Sequence, residues 1–279
     1  MRQCRAIVLA IVVSAMIGCL SGTEVTYDEL KIVGSDTMLE LDRRLAEAFM
    51  RAHPGVRVEV SGGGSGEGIA SMIEGDASKA AASRPLTAAE FALQHERHQT
   101  LGVRTLVAQD ALSVFLNAAN PVRDLSLEQL GGIFEGTITD WGEVGGNPGP
   151  VRVVVRPPSS GTHRFFRDHV LAGRSYVSGA VSVPTTSAVL AEVAADPLAV
   201  GYGGVAYRLE GVASVMVEGV EPTPEDVGRG RYPLTRYLVF YTVEPATGLT
   251  RRFIDWCLGP DGQRVVADIG YVPLWVSPP

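Results

Sequence analysis

From Tyr27 onward the chain alternates short β-rich runs with helical patterns, which is typical of an α/β protein with mostly parallel strands. Lys31 to Val33 predicts a strand. Thr37 to His53 predicts a helix whose apolar residues share one face, with Asp42 expected largely off that face. Val56 to Val60 alternates apolar and charged residues and predicts the next strand.

The same alternation continues to the end of the chain. Further strands are predicted at 103–107, 111–117, 151–155, near 200, at 212–217 and at 237–241. Further helices are predicted at 69–74, 87–98, 163–171, 187–195, 249–258 and 262–268, and another opens at Ser126. Thr87 and Ser126 each begin a capping-box pattern. Because no low-complexity linker divides the chain, any two lobes must share strands.

The first residues predict a secretory signal peptide, residues 1–18. Arg2 and Arg5 precede an apolar stretch from Ala6 to Ile17 that is too short to span a bilayer comfortably. Met16-Ile17-Gly18-Cys19 is similar to the bacterial lipobox, in which the cysteine is diacylated, so we expect a lipid anchor at Cys19. The alternative is an ordinary signal cut near Gly22, with Cys19 lost. In both cases the protein is exported.

Charge and motif content exclude several function classes. The 279 residues carry 24 basic and 31 acidic side chains, and no basic run reaches five residues. This argues against a nucleic-acid binder that relies on a broad basic surface. Loss of the signal peptide lowers the net charge from −7 to −9. The histidine and cysteine spacings match no metal motif, so neither a metal nor a cofactor is expected.

Cysteine usage leaves no disulfide for the mature monomer. Cys4 leaves with the signal peptide and Cys19 would be blocked by lipid, so Cys257 stands alone. Its apolar surroundings predict a buried small hydrophobe rather than a reactive thiol.

Three strand-to-helix junctions combine glycine with serine or threonine at the first turn of a helix. They are Gly34-Ser35-Asp36-Thr37, Gly64-Ser65-Gly66 and Ser159-Ser160-Gly161-Thr162. Free backbone N–H groups, hydroxyl donors and the helix dipole all favour an anion at such a position. Arg156 ends the strand before the third junction and would add charged donors for a tetrahedral oxyanion.

These motifs resemble those of the phosphate-binding lipoproteins of ABC phosphate importers, the PstS-like family. The segments that carry the resemblance are Gly34 to Met38, Gly62 to Gly66, Ala82-Ser83-Arg84, Arg156-x-x-x-Ser160-Gly161-Thr162, Ile133 to Trp141, Ala199 to Tyr202, Tyr232 to Arg236 and Ile269 to Leu274. They follow one another in order across essentially the whole mature chain.

The resemblance implies a two-lobed periplasmic-binding-protein fold, type II. Lobe I would comprise residues 25–108 and 237–279, and lobe II residues 109–236. Two chain crossings, near Gln109-Asp110 and Arg236-Tyr237, would form the hinge. A monomer is the expected state, since the two lobes must close freely around a ligand.

The resemblance also implies inorganic phosphate as ligand and the membrane permease of an ABC importer as partner. The implied phosphate-binding residues are Ser35, Asp36, Thr37, Ser65, Ser83 and Arg84, together with Arg156, Ser160, Gly161 and Thr162.

One position departs from the family's better-known branch, which carries an aspartate where this chain has Arg84. That aspartate accepts the proton that distinguishes phosphate from sulfate. Our hypothesis is that Asp36 supplies the acceptor here, with Glu67 as second candidate. The alternative for Asp36 is a plain helix N-cap. Arg84 is equally compatible with a place in the site and with a solvent-facing one.

Other functions stay open at this point. The same fold could serve a phosphate sensor or an adhesion lipoprotein without an importer. It could also hold another tetrahedral oxyanion such as sulfate or molybdate. An exported phosphatase with Ser160 or Ser35 as nucleophile would need an activating base, and the sequence indicates none.

Overall fold

A computed structural model describes residues 27–275 as alternating strands and helices. The strands are β1 (Asp28–Gly34), β2 (Val56–Ser61), β3 (Lys79–Ala82), β4 (Val103–Asn117), β5 (Asp124–Leu125), β6 (Arg152–Val155), β7 (Val181–Ser182), β8 (Ala199–Gly204), β9 (Val212–Val217) and β10 (Thr235–Thr242). The α-helices are α1 (Leu39–Ala52), α2 (Ser65–Glu74), α3 (Ala88–His98), α4 (Leu127–Glu135), α5 (Gly161–His169), α6 (Thr186–Ala195), α7 (Pro224–Gly228), α8 (Gly248–Leu258) and α9 (Pro260–Ile269). The predicted signal peptide and Cys19 lie outside the described residues.

One continuous sheet connects the two ends of the molecule. Its main path runs β2-β1-β3-β10-β4-β8-β6-β7, and β9 pairs with β4 and β5. β1 is parallel to β2 and β3, and β6 is parallel to β7 and β8. We refer to the end with β1 to β3 as the first lobe and to the end with β6 to β9 as the second lobe.

β4 is the strand that joins the lobes. Residues 103–111 pair antiparallel with β10, and residues 112–116 pair antiparallel with β8. The sequence predicted two separate strands here, but one 15-residue strand is observed. A strand shared in this way links the lobes without a flexible tether.

The alternation of strands and helices predicted from the sequence is confirmed for the α/β class as a whole. Both capping boxes are present: Thr87 caps α3 with Glu90, and Ser126 caps α4 with Gln129. The sequence missed β3, because its Lys-Ala-Ala-Ala composition lacks the β-branched residues that mark strands. All four of its residues are buried between β1 and β10, so tertiary pairing overrides the weak local preference.

The side chain of Asp42 is placed differently from the prediction. Although expected off the apolar face of α1, it is buried at 2% exposure. Its pKa is raised from 3.8 to about 7, because burial disfavours the carboxylate more than the attraction of Lys79 favours it. Two titratable groups from different elements, Asp42 of α1 and Lys79 of β3, therefore lie in the core of the first lobe.

Lys79 is the cation of that buried pair. Its Nζ lies 3.4 Å from the ring centroid of Phe253 and 3.8 Å from that of Phe240, and it has no hydrogen-bond partner in the described part of the chain. Burial lowers its pKa from 10.5 to about 7, and the nearby Cys257 and Asp42 oppose the shift. The ring faces supply the compensating negative potential.

Cys257 itself is fully buried, as predicted from its apolar neighbours. Burial raises the pKa of its thiol to about 12, so the thiol stays protonated at physiological pH. No helix within residues 27–275 is long and apolar enough to cross a membrane.

The buried pair predicts an unusual dependence of stability on pH. Between about pH 4 and 7 the folded state keeps a proton on Asp42 that the unfolded state releases, so rising pH destabilises the fold. Between about pH 7 and 10 the unfolded state holds a proton on Lys79 that the folded state has lost, so rising pH stabilises it. The pair's contribution should therefore reach its minimum near pH 7.

Denaturant unfolding across this pH range tests the prediction in the Asp42→Asn/Lys79→Met variant. Across this range the unfolding free energy of the variant should vary with pH less than that of the wild type does. The two variations should differ by more than about 1.4 kcal/mol, the equivalent of one pKa unit. Parallel curves for the two proteins would show instead that the pair does not titrate in this range.

Candidate anion-binding site

The three predicted junctions and their flanking residues meet between the lobes. In the first lobe, Ser35 to Thr37 follow β1, Ser65 begins α2 and Ser83 follows β3. In the second lobe, Arg156 follows β6, and Ser160 to Thr162 form the N-terminal turn of α5. Crevices at the ends of parallel strands are the usual ligand sites of open α/β sheets.

Arg156 is the central cation of the site and is only 1% exposed. Its Nη2 donates to Asp36 Oδ2 at 2.7 Å and to the carbonyl of Pro184 at 2.7 Å, and its Nη1 donates to Thr186 Oγ1 at 3.2 Å. Its Nε has no partner in the described protein. Burial lowers the pKa of Arg156 and Asp36 opposes the shift, but a guanidinium stays charged at any physiological pH.

An aromatic cluster fixes the backbone at Arg156. The Tyr202 hydroxyl accepts from the Arg156 N–H at 3.4 Å and donates to the Tyr176 hydroxyl at 3.1 Å. Tyr176 in turn donates to the carbonyl of His163 in α5 at 2.8 Å. Burial raises the pKa of Tyr202 to about 12, so the hydroxyl stays protonated and keeps this chain of bonds intact.

Threonine and serine hydroxyls of both lobes lie where the lobes meet. Thr37 Oγ1 and Thr162 Oγ1 lie 2.8 Å apart and share a hydrogen bond across the cleft. Within the first lobe, the Ser83 N–H donates to Ser65 Oγ at 3.1 Å. Ser160 acts as the N-cap of α5, because its Oγ accepts from the N–H of His163 at 3.4 Å.

Gly161 shows how closely the lobes approach. A Cβ at this position would lie 2.3 Å from Ser65 Oγ and 2.5 Å from Ser83 Oγ. The Gly66 N–H also donates across the cleft to the carbonyl of Ser159 at 3.2 Å. Only a residue without a side chain fits at 161 while both serine hydroxyls keep these positions.

Asp36 joins the lobes rather than capping its own helix. One carboxylate oxygen accepts from Arg156, and Oδ1 accepts from the N–H of Gly63 at 3.1 Å. The residue before α1 is Met38, which makes no side-chain cap. The N-cap alternative for Asp36 is therefore wrong. Each carboxylate oxygen retains acceptor capacity beyond these bonds.

Arg84 is not a solvent-facing residue, since it is 5% exposed. Its guanidinium forms a bidentate pair with Glu90, with both N–O distances at 2.7 Å, and also donates to the carbonyl of Pro85. Its Nε has no partner in the described residues. Burial raises the pKa of Glu90, but hydrogen bonds from Arg84 and Thr87 outweigh it, so the net pKa falls. The positive charge of Arg84 is thus matched locally. Glu67, the second candidate acceptor, lies exposed on α2.

The sequence did not predict that Arg236, Asp110 and Tyr207 lie beside the candidate site. Arg236 donates from Nη1 to Thr162 Oγ1 at 3.1 Å and from Nη2 to Thr37 Oγ1 at 3.4 Å. Its partner is Asp110, and the sequence had placed both only at the hinge crossings. The Tyr207 hydroxyl donates to the carbonyl of Asp36 at 2.7 Å. The one available signal was Arg236, which lies in a segment that carried the family resemblance.

The described residues contain no group of three or more His, Cys, Asp or Glu side chains that could hold a metal ion. The candidate site consists of hydroxyls, backbone N–H groups, one guanidinium that bridges the cleft and one carboxylate. Such a set of mostly donors is suited to a small oxyanion.

Comparisons with known proteins agree with this chemistry. The model of the PBP superfamily domain matches residues 21–261. The phosphate-binding protein PstS of Bacillus subtilis is 33% identical over 259 residues, which cover 91% of this chain and 83% of that protein. The PstS of Pseudomonas aeruginosa is 28% identical over 267 residues, which cover 88% of this chain and 83% of that protein.

Solved structures give the same result. A Clostridium perfringens structure described as a phosphate ABC transporter substrate-binding protein with bound phosphate is 30% identical, with a TM-score of 0.82, and the match covers 89% of this chain and 100% of that one. An ABC-type phosphate transport receptor from Vibrio cholerae is also 30% identical, with a TM-score of 0.73, and the match covers 87% and 99% of the two chains. The fold expected from the resemblance is thereby confirmed, and the chain belongs to the PBP superfamily as a member of the PstS family of phosphate-binding proteins.

Proposed function

We propose that this protein captures inorganic phosphate outside the cytoplasmic membrane and delivers it to the permease of an ABC importer. The observation that carries the proposal is the buried guanidinium of Arg156. It bridges the lobes through Asp36, yet its Nε has no partner in the described protein. A buried charged donor without an acceptor is costly, and an oxyanion between the lobes would satisfy it.

The proposed ligand shell takes groups from both lobes. The first lobe contributes Ser35, Asp36, Thr37, Ser65 and Ser83, and the second contributes Arg156, Ser160, Gly161 and Thr162. Arg84 takes part through its unpaired Nε, while Glu90 neutralises its charge. Because the shell is complete only when the lobes meet, ligand binding would stabilise the closed form, which the permease recognises.

The lobe boundaries belong to the same proposal. Residues 25–108 and 237–279 form one lobe, residues 109–236 the other, and the chain crosses twice at the hinge. Support comes from β4, whose pairing partner changes from β10 to β8 between Ala111 and Leu112. Export, the lipid anchor at Cys19 and the monomeric state rest on the sequence alone.

Binding without catalysis is the form of activity we propose. In the described part of the chain, neither Ser35 nor Ser160 shares a hydrogen bond with a carboxylate or imidazole side chain that could activate its hydroxyl. The relatives named above are likewise binding proteins and transport receptors. The sensor and adhesion alternatives would keep the same site without the permease.

Isothermal titration of a chain that begins at Ser21 tests the proposed ligand. We expect phosphate to bind with one-to-one stoichiometry at neutral pH and sulfate to give a much weaker response. No heat with phosphate would contradict the proposed function. Equal binding of phosphate and sulfate would mean instead that the site lacks an acceptor for the phosphate proton and takes tetrahedral oxyanions generally.

The acceptor itself is tested by a matched pair of variants, Asp36→Asn and Glu67→Gln. A carboxylate accepts the phosphate hydroxyl but faces sulfate with no proton between them. Asp36→Asn should therefore lower the ratio of phosphate to sulfate affinity by about 10- to 150-fold, the contribution of one hydrogen bond to a charged group.

Glu67→Gln serves as the control, because the Glu67 side chain is exposed and its replacement should leave the ratio unchanged. The ratio is the decisive quantity, since Asp36→Asn also removes the pairing with Arg156 and weakens both anions. An unchanged ratio in Asp36→Asn together with a lowered one in Glu67→Gln would assign the acceptor to Glu67.

A further inference from the structure

Arg236 and Asp110 form a buried ion pair behind the candidate site. They are directly paired residues of β10 and β4, at the place where the chain passes between the lobes. Asp110 is fully buried and Arg236 is 5% exposed. Arg236 Nη2 and Nε lie 2.7 and 2.8 Å from Asp110 Oδ2, and the N–H of Val205 donates to Oδ1 at 3.2 Å. Burial raises the pKa of Asp110, and Arg236 opposes that shift.

The remaining donors of Arg236 reach one hydroxyl from each lobe. Nη1 donates to Thr162 Oγ1 at 3.1 Å and Nη2 points to Thr37 Oγ1 at 3.4 Å, while the two hydroxyls lie 2.8 Å from each other. One cation at the hinge is therefore connected to both anion loops. The Tyr271 hydroxyl also donates to the carbonyl of Thr37 at 2.6 Å, which fixes that loop from the same side.

The protons and lone pairs of the Thr37 and Thr162 hydroxyls determine how this pair can bind a ligand. A threonine hydroxyl has one proton and two lone pairs, and Arg236 occupies a lone pair on each of the two hydroxyls. Its positive charge further disfavours any rotation that would aim a hydroxyl proton back at the guanidinium. One of the two hydroxyl protons forms the bond between the threonines. The other is left for an acceptor in the cleft, and the charge-assisted bonds behind the hydroxyls polarise it as a stronger donor.

We propose that Arg236, held in place by Asp110, is a positioning residue of the anion site that makes the hydrogen-bonded pair of Thr37 and Thr162 hydroxyls an obligate donor to the ligand. The ligand oxygen on this side would then be a deprotonated one, and any proton of the ligand would lie on the side of Asp36. Because the two hydroxyls come from different lobes, Arg236 acts on both only when the cleft is closed. The inference rests on the proposed function.

A double-mutant cycle on phosphate affinity tests this role. The pair is replaced as a unit, Asp110→Asn/Arg236→Gln, so that no uncompensated charge is left buried. This variant is combined with Thr162→Val, which removes the hydroxyl at nearly constant volume, and with Thr162→Ser, which keeps it. Affinities come from calorimetry, or from the phosphate dependence of thermal stability where binding is weak.

We expect Thr162→Val to weaken phosphate binding by about 10- to 150-fold, the range for a hydrogen bond to a charged group. Replacing the ion pair should cost about tenfold or more in the wild type and in Thr162→Ser, but much less in Thr162→Val, where no Thr162 hydroxyl remains to be oriented. Arg236→Lys, which keeps the charge but not the fork that reaches both hydroxyls, should fall between the wild type and the neutral pair.

Each outcome bears on one claim. Losses that simply add in the Thr162→Val background would overturn the positioning role and leave the ion pair a purely structural element. Unfolding of the neutral pair would leave the decision to Arg236→Lys, whose loss should likewise shrink in Thr162→Val and not in Thr162→Ser. Arg251→Gln, an exposed arginine on α8, controls for loss of positive charge and should change nothing. Absence of phosphate binding by the wild type would contradict the proposed function itself.

Discussion

The arrangement of the two lobes depends on the ion pair between Arg156 and Asp36. Arg156 is 1% exposed, and a guanidinium removed from water needs a compensating charge and hydrogen bonds. Asp36 of the opposite lobe supplies the charge, at 2.7 Å. Arg156 also donates hydrogen bonds to the carbonyl of Pro184 and the hydroxyl of Thr186 in its own lobe. Separating the lobes would break the pair, so Arg156 stays both buried and paired with Asp36 only while the cleft is closed.

The remaining features of the site follow from that closure. Loops that end β1 and β6 must approach each other, which brings Thr37 against Thr162 and leaves room only for glycine at 161. The sheet allows the approach because β4 belongs to both lobes and β10 lies beside it. Asp110 lies on β4 and Arg236 on β10, so Arg236 contacts both loops without belonging to either.

Local signals in the sequence predicted much of this structure. Capping boxes, apolar periodicity and the glycine-hydroxyl junctions depend on residues within a few positions of one another. They predicted most helices and strands and the segments that meet in the candidate site. Long-range pairings could not be predicted in this way. Asp42 and Lys79 lie on different elements, Arg236 and Asp110 are 126 positions apart, and β3 is a strand only because β1 and β10 enclose it.

Glu90 shows why a correct local prediction can still be incomplete. The sequence identified it as the capping-box residue of α3, and it does accept from the N–H of Thr87 at 2.7 Å. The same carboxylate also binds both Nη atoms of Arg84, which decides that Arg84 is a paired, buried group rather than a free surface cation. One carboxylate can satisfy both partners because each of its oxygens accepts more than one hydrogen bond.

The most direct test of the central claim is a crystal structure of the protein with phosphate bound at neutral pH. We expect one phosphate ion between the lobes, with its oxygens about 2.5–3.2 Å from Arg156 Nε and from hydroxyls of both lobes. Its protonated oxygen should face Asp36. Phosphate bound to one lobe alone, or bound while Arg156 Nε stays unpaired, would contradict the role of Arg156 as the cation that binds the anion between the lobes.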